Sequence, residues 1–435
     1  MIKIFFLPVF CLLFSCNHKT EEPSDAELNS IAIEYVKLGL QIGQYDTDFV
    51  DAYYGPDSLK PITPKEATFP KDRFIVNAND LINRLAIFNK KNKNAEWNNR
   101  ASWISSQLTA YSRRVKIFSG ERGSFDEESK ELFGVVAPTY PESYFKNEVH
   151  SLDSLLPGTG SISERFQKLA NKFIIPKNKI DTIFKTAISV SRQRTLAHFK
   201  LPSEEKFTLE YVTGKPWSGY NWYKGNYTSL IQINTDLDIF IERAVDVASH
   251  ESYPGHHVYN MLLEKNLYHD KGWVEISLYP LFSPQSLIAE GSANYGIEMA
   301  FHDKEKVVFV KNVLLPLAGL DTTGIDLYFM ALELKSALNF SRNEVARGLL
   351  NNTMTETEAL RWLLDYGLNN RESALKSISF IRKYGSYVIN YNYGMLLVKN
   401  YIESSEGSVT SPDKRWKIFG ELLSKEVLPV NLIVK

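Results

Sequence analysis

The sequence predicts a mainly α-helical fold with a small β-sheet. Apolar residues recur mostly at the three- and four-residue spacing of a helix face, as in Ile31, Tyr35, Leu38 and Ile42 of the first long segment. Alternation of apolar and polar residues, the sign of a half-buried strand, is rare. The chain has 435 residues, of which 44% are hydrophobic. It is therefore long enough to bury one large core or two coupled ones.

The N-terminus predicts a secretory signal. One lysine precedes an apolar stretch over 4–14, which is too short to span a bilayer as a permanent helix. The last residues before Cys16 resemble the bacterial lipobox, in which the signal is cut off before a Cys that then carries lipid. We expect a signal peptide over 1–15 and a lipidated tether over 16–25, with an ordinary signal peptide as the alternative. Cys16 would hold the protein in the bacterial cell envelope, facing the periplasm or the cell surface, as its only link to the membrane.

Composition excludes two classes of chemistry. Cys11 would leave with the signal and Cys16 would be acylated, and these are the 2 cysteines of the chain. Thiolate catalysis and thiolate metal ligands are then excluded. The 50 basic and 51 acidic residues give a net charge of −1, so we expect no nucleic-acid partner.

The body of the chain, 26–435, shows no internal repeat and no convincing linker. The Pro- and Gly-bearing loops near 136–160 are the best candidates for a boundary within it. After the first segment, helical spacing predicts helices over 77–90, 95–119, 126–134, 147–155, 161–173, 177–199, 237–265, 284–302, 304–315, 322–338, 342–351, 355–366, 371–384, 390–403 and 412–424.

Two strand-like stretches precede the helical segment 237–265. They cover 207–212 and 229–234, and both are rich in β-branched and aromatic residues. The two stretches can pair with each other. We expect the small sheet to lie beside the helix that follows.

That helical segment carries a cluster of candidate metal ligands, His250-Glu251-Ser252-Tyr253-Pro254-Gly255-His256-His257. A hydrolytic zinc site usually takes three His or carboxylate ligands and leaves a position for water, and a neighbouring carboxylate acts as general base. In the common His-Glu-x-x-His motif the two His are one helical turn apart and reach the same ion. Here the next His residues are six and seven positions beyond the first.

On a regular helix, His250 and His256 would be too far apart to bind one ion, because a six-residue step advances about 9 Å along the axis. Pro254 disturbs the helix, since its ring clashes with the carbonyl of His250 four residues back. A turn widened by two residues, a double bulge of the π kind, would bring His256 to the place of the second ligand. We therefore expect His250 and His256 as ligands and Glu251 as base. His257 stays the fallback ligand, or a group that supports the site or faces the substrate.

The third ligand is expected on a later helix, at Glu290. Ser283 and Pro284 suit the cap and the first position of that helix. Glu290 lies among apolar and small residues, which is an unusual place for a solvated charge. Gly291 would permit close approach to another helix.

These residues resemble a known family. The segment from His250 to His257 resembles the signature of the bacterial domain of unknown function 885 family, and Glu290-Gly291-Ser292-Ala293-Asn294-Tyr295 is similar to that family's Glu-Gly-Trp-Ala-x-Tyr block. The resemblance is specific over about 250–298. It implies a zincin-like helical domain of the gluzincin group, with Zn²⁺ held by two His and a later Glu. Ser292 replaces the family's Trp, so substrate preference is not transferable.

The resemblance also implies an oxyanion donor and a substrate strand. Tyr391 stands three residues before a Gly, as in the family, and would donate a hydrogen bond to the tetrahedral intermediate, with Tyr393 as the alternative. The strand over 229–234 occupies the place where gluzincins carry an edge strand that pairs with the substrate backbone. Its residues Ile231, Ile233 and Asn234 are therefore candidate substrate-binding residues.

The sequence thus predicts a zinc-dependent hydrolase, most simply a peptidase that cleaves amide bonds by metal-activated water. Its partner would be a peptide or another amide substrate. Two alternatives stay open, namely a hydrolase of non-peptide amides or esters with the same site, and a metal-binding lipoprotein without turnover.

Overall fold

The computed structural model describes residues 24–215, 217–405 and 408–434. The predicted signal peptide over 1–15 and the predicted lipid attachment at Cys16 lie outside the described residues, as does most of the tether over 16–25. Within the described ranges, no helix is both long enough and apolar enough to cross a bilayer.

Helices make up most of the described chain. In chain order they are α1 (Asp25–Gly43), α2 (Lys71–Lys91), α3 (Ala95–Phe118), α4 (Phe125–Phe133), α5 (Glu142–Leu155), α6 (Ile162–Ala170), α7 (Ile180–Leu196), α8 (Ile241–Glu251), α9 (His256–Leu263), α10 (Pro284–Ala300), α11 (Glu305–Phe309), α12 (Leu315–Ala318), α13 (Ile325–Ala337), α14 (Ser341–Leu350), α15 (Glu356–Asp365), α16 (Arg371–Tyr384), α17 (Ile389–Glu403) and α18 (Pro412–Leu423). Short π-helical segments follow α9 and α11, at Glu264–His269 and Val310–Leu314.

Two small sheets accompany these helices. Their strands are β1 (Val50–Tyr53), β2 (Lys206–Val212), β3 (Gly219–Tyr223), β4 (Thr228–Asn234) and β5 (Leu278–Pro280). The first sheet has the order β2-β4-β3, with β4 parallel to β2 and antiparallel to β3. The second sheet pairs β1 with β5 in antiparallel fashion. The β2-β4-β3 sheet contacts α8 and α9 through β3 and β4.

The predicted fold class, mainly α with a small sheet beside the helix that carries the His residues, is confirmed. The two predicted strands pair in register, from Lys206 opposite Thr228 to Val212 opposite Asn234. The helix predicted over 284–302 runs from Pro284 to Ala300, and the Ser283 hydroxyl caps it by accepting the Ser286 N–H. The prediction of one helix over 237–265 is wrong, because the chain leaves the helix after Glu251 and re-enters one at His256.

Helix α10 lies in the centre of the molecule, with most of its residues buried. It packs against α8 on one side and along α17 on another. The contact with α17 is so close that a Cβ at Gly291 would meet the backbone carbonyl of Gly394 at 2.5 Å. The small residue beside Glu290 therefore permits the helix approach that the sequence predicts, and this contact brings α17 next to Glu290.

Candidate metal centre

The break between α8 and α9 places two His residues on one side of the chain. Ser252 leaves helical geometry at φ −116° and ψ −92°, and the Tyr253–Pro254 peptide bond is cis. The N–H of Gly255 then donates to the carbonyl of Ser249 at 3.0 Å, a step of six residues where a helix has four. The turn is thus wider by two residues, as predicted. It is a true interruption between two helices, however, and not a bulge within one.

Three ligand atoms converge across this break. The Nε2 atoms of His250 and His256 are 3.1 Å apart. The Oε2 atom of Glu290, from α10, lies 3.4 Å from His250 Nε2 and 3.8 Å from His256 Nε2. Among the described residues, these three side chains form the one group of this kind that could hold a metal ion.

The spacing of the three atoms suits a tetrahedral zinc ion. Ligand bonds of about 2.0–2.1 Å at tetrahedral angles put neighbouring ligand atoms about 3.4 Å apart. The three separations, 3.1, 3.4 and 3.8 Å, bracket that value. Two imidazoles and one carboxylate are also a donor set that zinc hydrolases use, with the fourth position open.

One carboxylate oxygen of Glu290 is held by a hydrogen bond, and the other is left to bind a metal ion. Its Oε1 accepts a hydrogen bond from the Tyr387 hydroxyl at 3.0 Å. Its Oε2 is buried and has no hydrogen-bond partner among the described residues. Although burial raises the pKa of this carboxyl, contacts with His250 and His256 hold the pKa well below its usual range. A buried anionic oxygen without a hydrogen-bond donor is what a metal ligand requires and what a purely structural Glu avoids.

Asn294 sets the orientation of His250. Its amide nitrogen donates to the backbone carbonyl of Tyr391 at 3.0 Å, which turns its amide oxygen toward His250 Nδ1 at 3.1 Å. Nδ1 of His250 therefore carries the proton, and Nε2 keeps its lone pair toward Glu290 and His256. Asn294 stands one turn after Glu290 on α10, so the four-residue spacing in the sequence is a signal by which it could be found.

Glu251 lies beside the three ligand atoms at the end of α8, with its residue 6% exposed. Burial raises the pKa of its carboxyl above the ordinary value, the His residues oppose this, and the charge of Glu290 adds to it. Its backbone carbonyl accepts the side-chain amide of Asn221 at 2.6 Å. A carboxylate in this position can take a proton from a water at the centre.

Tyr391 is brought to the site by the first turn of α17. Desolvation raises the pKa of its phenol well above the usual value, and the charges of Glu290 and Glu251 act in the same direction. Tyr391 therefore stays protonated and can donate a hydrogen bond, and the residue is 36% exposed. For the alternative, Tyr393, burial and the charge of Tyr140 raise the pKa of the phenol, and none of the three candidate ligands contributes to this shift.

His257 does not join the three ligand atoms, so its role as fallback ligand is wrong. Its ring is fully buried, with Nδ1 2.8 Å from the hydroxyl of Ser229 and Nε2 3.1 Å from Glu205 Oε2. Both nitrogens are thus engaged with β4 and the residues just before β2. One residue beyond His256 on a helix is about 100° around the axis, and that rotation turns His257 away.

The prediction that Ile231, Ile233 and Asn234 bind substrate is also corrected. They belong to β4, which is the central strand of its sheet and is paired on both sides. The two Ile side chains are 1% exposed, and the Asn234 amide donates to the backbone carbonyl of Lys215 at 2.9 Å. The outer strand beside the site is β3, where a Cβ at Gly219 would lie 3.2 Å from Glu251 Oε1.

A further carboxylate near the site is that of Asp51 on β1, which the sequence did not predict. The hydroxyl of Tyr220 on β3 donates to it. Burial raises the pKa of Asp51 to about 6, and the charges of His256, Glu290 and Glu251 also act on it. These partners are far apart in the chain, so no local pattern could have revealed Asp51.

Comparison with known proteins gives a fold and no family. No protein-family model matches the sequence, and no curated protein matches it. A solved structure described as a putative lipoprotein from Colwellia psychrerythraea is similar to this chain, with a TM-score of 0.52, 15% identity, and 83% of this chain and 68% of that chain covered.

Two other solved structures are more distant. The M32 carboxypeptidase from Deinococcus radiodurans R1 has a TM-score of 0.49 and 11% identity over 94% of each chain. A putative lipoprotein of unknown function from Shewanella oneidensis has a TM-score of 0.47 and 13% identity, over 83% of this chain and 71% of that chain. At such identities, the likeness to the Colwellia protein concerns the fold alone.

Proposed function

We propose that the protein is a zinc-dependent hydrolase that cleaves amide bonds in peptides. The observation that carries the proposal is the convergence of His250 Nε2, His256 Nε2 and the unpartnered Glu290 Oε2 within 3.8 Å of one another. We also propose that the chain belongs to the bacterial domain of unknown function 885 family, which the sequence of these segments resembles.

His250, His256 and Glu290 would hold the ion, with Asn294 and Tyr387 fixing two of these ligands. Zinc bound there would supply a Lewis acid that polarises a carbonyl and makes water acidic at neutral pH. Glu251 would accept the proton of the attacking water and pass it to the leaving nitrogen. Tyr391 would donate a hydrogen bond to the oxygen on which negative charge develops.

The outer strand β3 offers a path for an extended substrate. Its residue Gly219 lies against the side chain of Glu251, and its residue Asn221 holds the Glu251 backbone. A peptide that added to the outer edge of β3 would run past the catalytic carboxylate with its main chain hydrogen-bonded. Tyr220 and Asp51 would then border the same path.

The place of the protein in the cell is part of the proposal. We infer a lipid anchor at Cys16 in the bacterial envelope from the lipobox-like sequence, and the similar Colwellia protein is described as a putative lipoprotein. The near-neutral net charge of −1 gives no support to a nucleic-acid partner.

The test combines metal analysis with one catalytic variant. Protein purified without chelator is expected to hold about one zinc per chain and to cleave members of a peptide library. Glu251→Gln should keep the zinc and lose at least about 100-fold in kcat, because only the proton transfer is removed. Glu290→Gln should lose the zinc as well.

His150→Ala serves as the control, because His150 is exposed on α5, a helix that carries none of the proposed site residues. It should match wild type in zinc content and kcat. A wild-type zinc content below about half an equivalent would overturn the metal site. Equal turnover by wild type and Glu251→Gln would remove the role of Glu251. Turnover of esters or non-peptide amides alone would reassign the substrate.

A further inference from the structure

Arg342 is a cationic side chain near the candidate metal centre, and the part of the chain that the structure describes gives it no counter-ion. It lies in the first turn of α14, and the next residue, Asn343, exchanges amide hydrogen bonds of 3.0 Å with Asn392 on α17. These bonds tie the start of α14 to the turn that carries Tyr391. The guanidinium of Arg342 lies over the ring of Phe380, 4.6 Å from its centroid. Its positive charge acts on the phenol of Tyr391.

The guanidinium has no acidic partner among the described residues. Its Nε is buried without a hydrogen-bond partner, and the residue as a whole stays partly exposed. Burial lowers the pKa of Arg342, with only Tyr391 acting against this, although a guanidinium remains charged in proteins. Several arginines with little exposure hold a carboxylate, whereas the buried Arg415 contacts the ring of His302. The pairs with a carboxylate are Arg100 with Glu275, Arg114 with Asp46 and Arg347 with Glu344.

A partly buried guanidinium without a counter-ion is costly, so such an arginine is expected to meet an anion. Tyr391 lies beside this charge, because Asn392, the residue after Tyr391, is hydrogen-bonded at 3.0 Å to Asn343, the residue after Arg342. A substrate carbonyl that accepts a hydrogen bond from Tyr391 would therefore have its neighbouring groups within reach of Arg342. A guanidinium binds a carboxylate through two parallel hydrogen bonds.

We propose that Arg342 binds a carboxylate of the peptide substrate, specifically the C-terminal carboxylate, which every linear peptide with a free end carries. The protein would then remove residues from the C-terminal end. This inference rests on the proposed peptidase function and names its substrate class. Arg342 acts on the substrate by binding, and the chemical step stays with Glu251 and Tyr391.

The experiment compares matched peptides and variants. A peptide that the zinc-loaded protein cleaves is made with a free C-terminus and as the C-terminal amide. A second pair carries Glu or Gln next to the cleaved bond. Values of kcat/KM are measured for wild type, Arg342→Gln, Arg342→Lys and the control Arg371→Gln, which changes an exposed arginine at the start of α16.

Wild type should prefer the free acid over the amide by about 10- to 100-fold, the value of a charge-assisted hydrogen-bonded pair. Arg342→Gln should reduce this ratio to about one, Arg342→Lys should keep part of it, and Arg371→Gln should keep all of it. A merely structural role of Arg342 would lower both rates equally and leave the ratio intact, which would overturn the proposal. If Arg342 instead determined a preference for the peptide with Glu over the peptide with Gln next to the cleaved bond, the assignment of Arg342 to the C-terminal carboxylate would be overturned.

Binding separates this proposal from the proposed function. The same peptides are titrated into zinc-loaded Glu251→Gln protein, with and without Arg342→Gln, by calorimetry. Tighter binding of the free acid that disappears with Arg342→Gln supports the carboxylate site even if no peptide is cleaved. Equal binding of acid and amide overturns it even if peptides are cleaved.

Discussion

Asn294 joins one proposed zinc ligand to the helix of Tyr391, and this makes it a test of the site at the scale of a single residue. Its oxygen accepts from His250 Nδ1 at 3.1 Å, and its nitrogen donates to the Tyr391 carbonyl at 3.0 Å. One amide thus sets the tautomer of a ligand and the position of the oxyanion donor. Outer partners of this kind orient metal ligands in many sites.

Asn294→Ala is expected to weaken zinc affinity about 10- to 100-fold, because His250 loses the acceptor that fixes its ring. Competition with a chelating dye measures the zinc dissociation constant. Glu298→Gln is the matched control, since Glu298 lies one turn further along α10, is 38% exposed at its side chain and pairs with Lys399. Unchanged zinc affinity in Asn294→Ala would contradict the proposed role of Asn294.

At the scale of elements, the site depends on the break between α8 and α9. Gly255 lies so close to α8 that a Cβ there would be 1.8 Å from the His250 carbonyl oxygen and 2.5 Å from that of Ser249. The neighbours are backbone atoms, which cannot turn aside as a side chain can. Gly255 therefore allows the wide turn that brings His256 to His250.

Gly255→Ala should lower the free energy of unfolding by at least about 2 kcal/mol, because the two helices must separate to admit the methyl group. The same separation should abolish stoichiometric zinc binding. Urea denaturation and metal analysis measure the two effects. Gly123→Ala is the control, since its Cβ would meet only the ends of the Arg113 and Glu127 side chains. Normal stability and zinc content in Gly255→Ala would show that the turn does not need Gly.

At the scale of the whole molecule, the proposed zinc ion would join three helices that are already packed together. The ligands come from α8, α9 and α10, and the buried apolar core extends from Leu28 to Leu432. The ion would thus add to the stability of a fold that the core maintains. Whether 136–160 contains a boundary within 26–435 stays a prediction.

Removal of zinc by a chelator should lower the melting temperature and leave the helix content unchanged. An ion at about 1,000 times its dissociation constant contributes about 4 kcal/mol of stability, which for a chain of this size is a shift of roughly 4–5 °C. Calorimetry and circular dichroism at 222 nm measure the two quantities. Glu290→Gln should show no response to chelator. If chelator left the melting temperature of the wild type unchanged, this would argue against a bound ion in the folded protein.

Local sequence signals were enough to predict most helices, one strand pair and the first set of candidate site residues. Helical periodicity and the Ser283-Pro284 start placed α10, and β-branched runs placed the paired strands β2 and β4, because these signals are local. The six-residue step from His250 to His256 across Pro254 predicted a widened turn. This inference needed only helix geometry.

Which residues surround the site could be read only from the way the elements pack in three dimensions. The central position of β4, which excludes Ile231 and Ile233 from binding substrate, depends on the unpredicted strand β3. Asp51 lies on β1, about 200 residues before the end of α8, and Arg342 lies on α14, about 90 residues after it. Their charges nevertheless act on residues of the site. Contacts between residues so far apart in the chain depend on how the elements pack. A local sequence pattern cannot predict packing between distant segments.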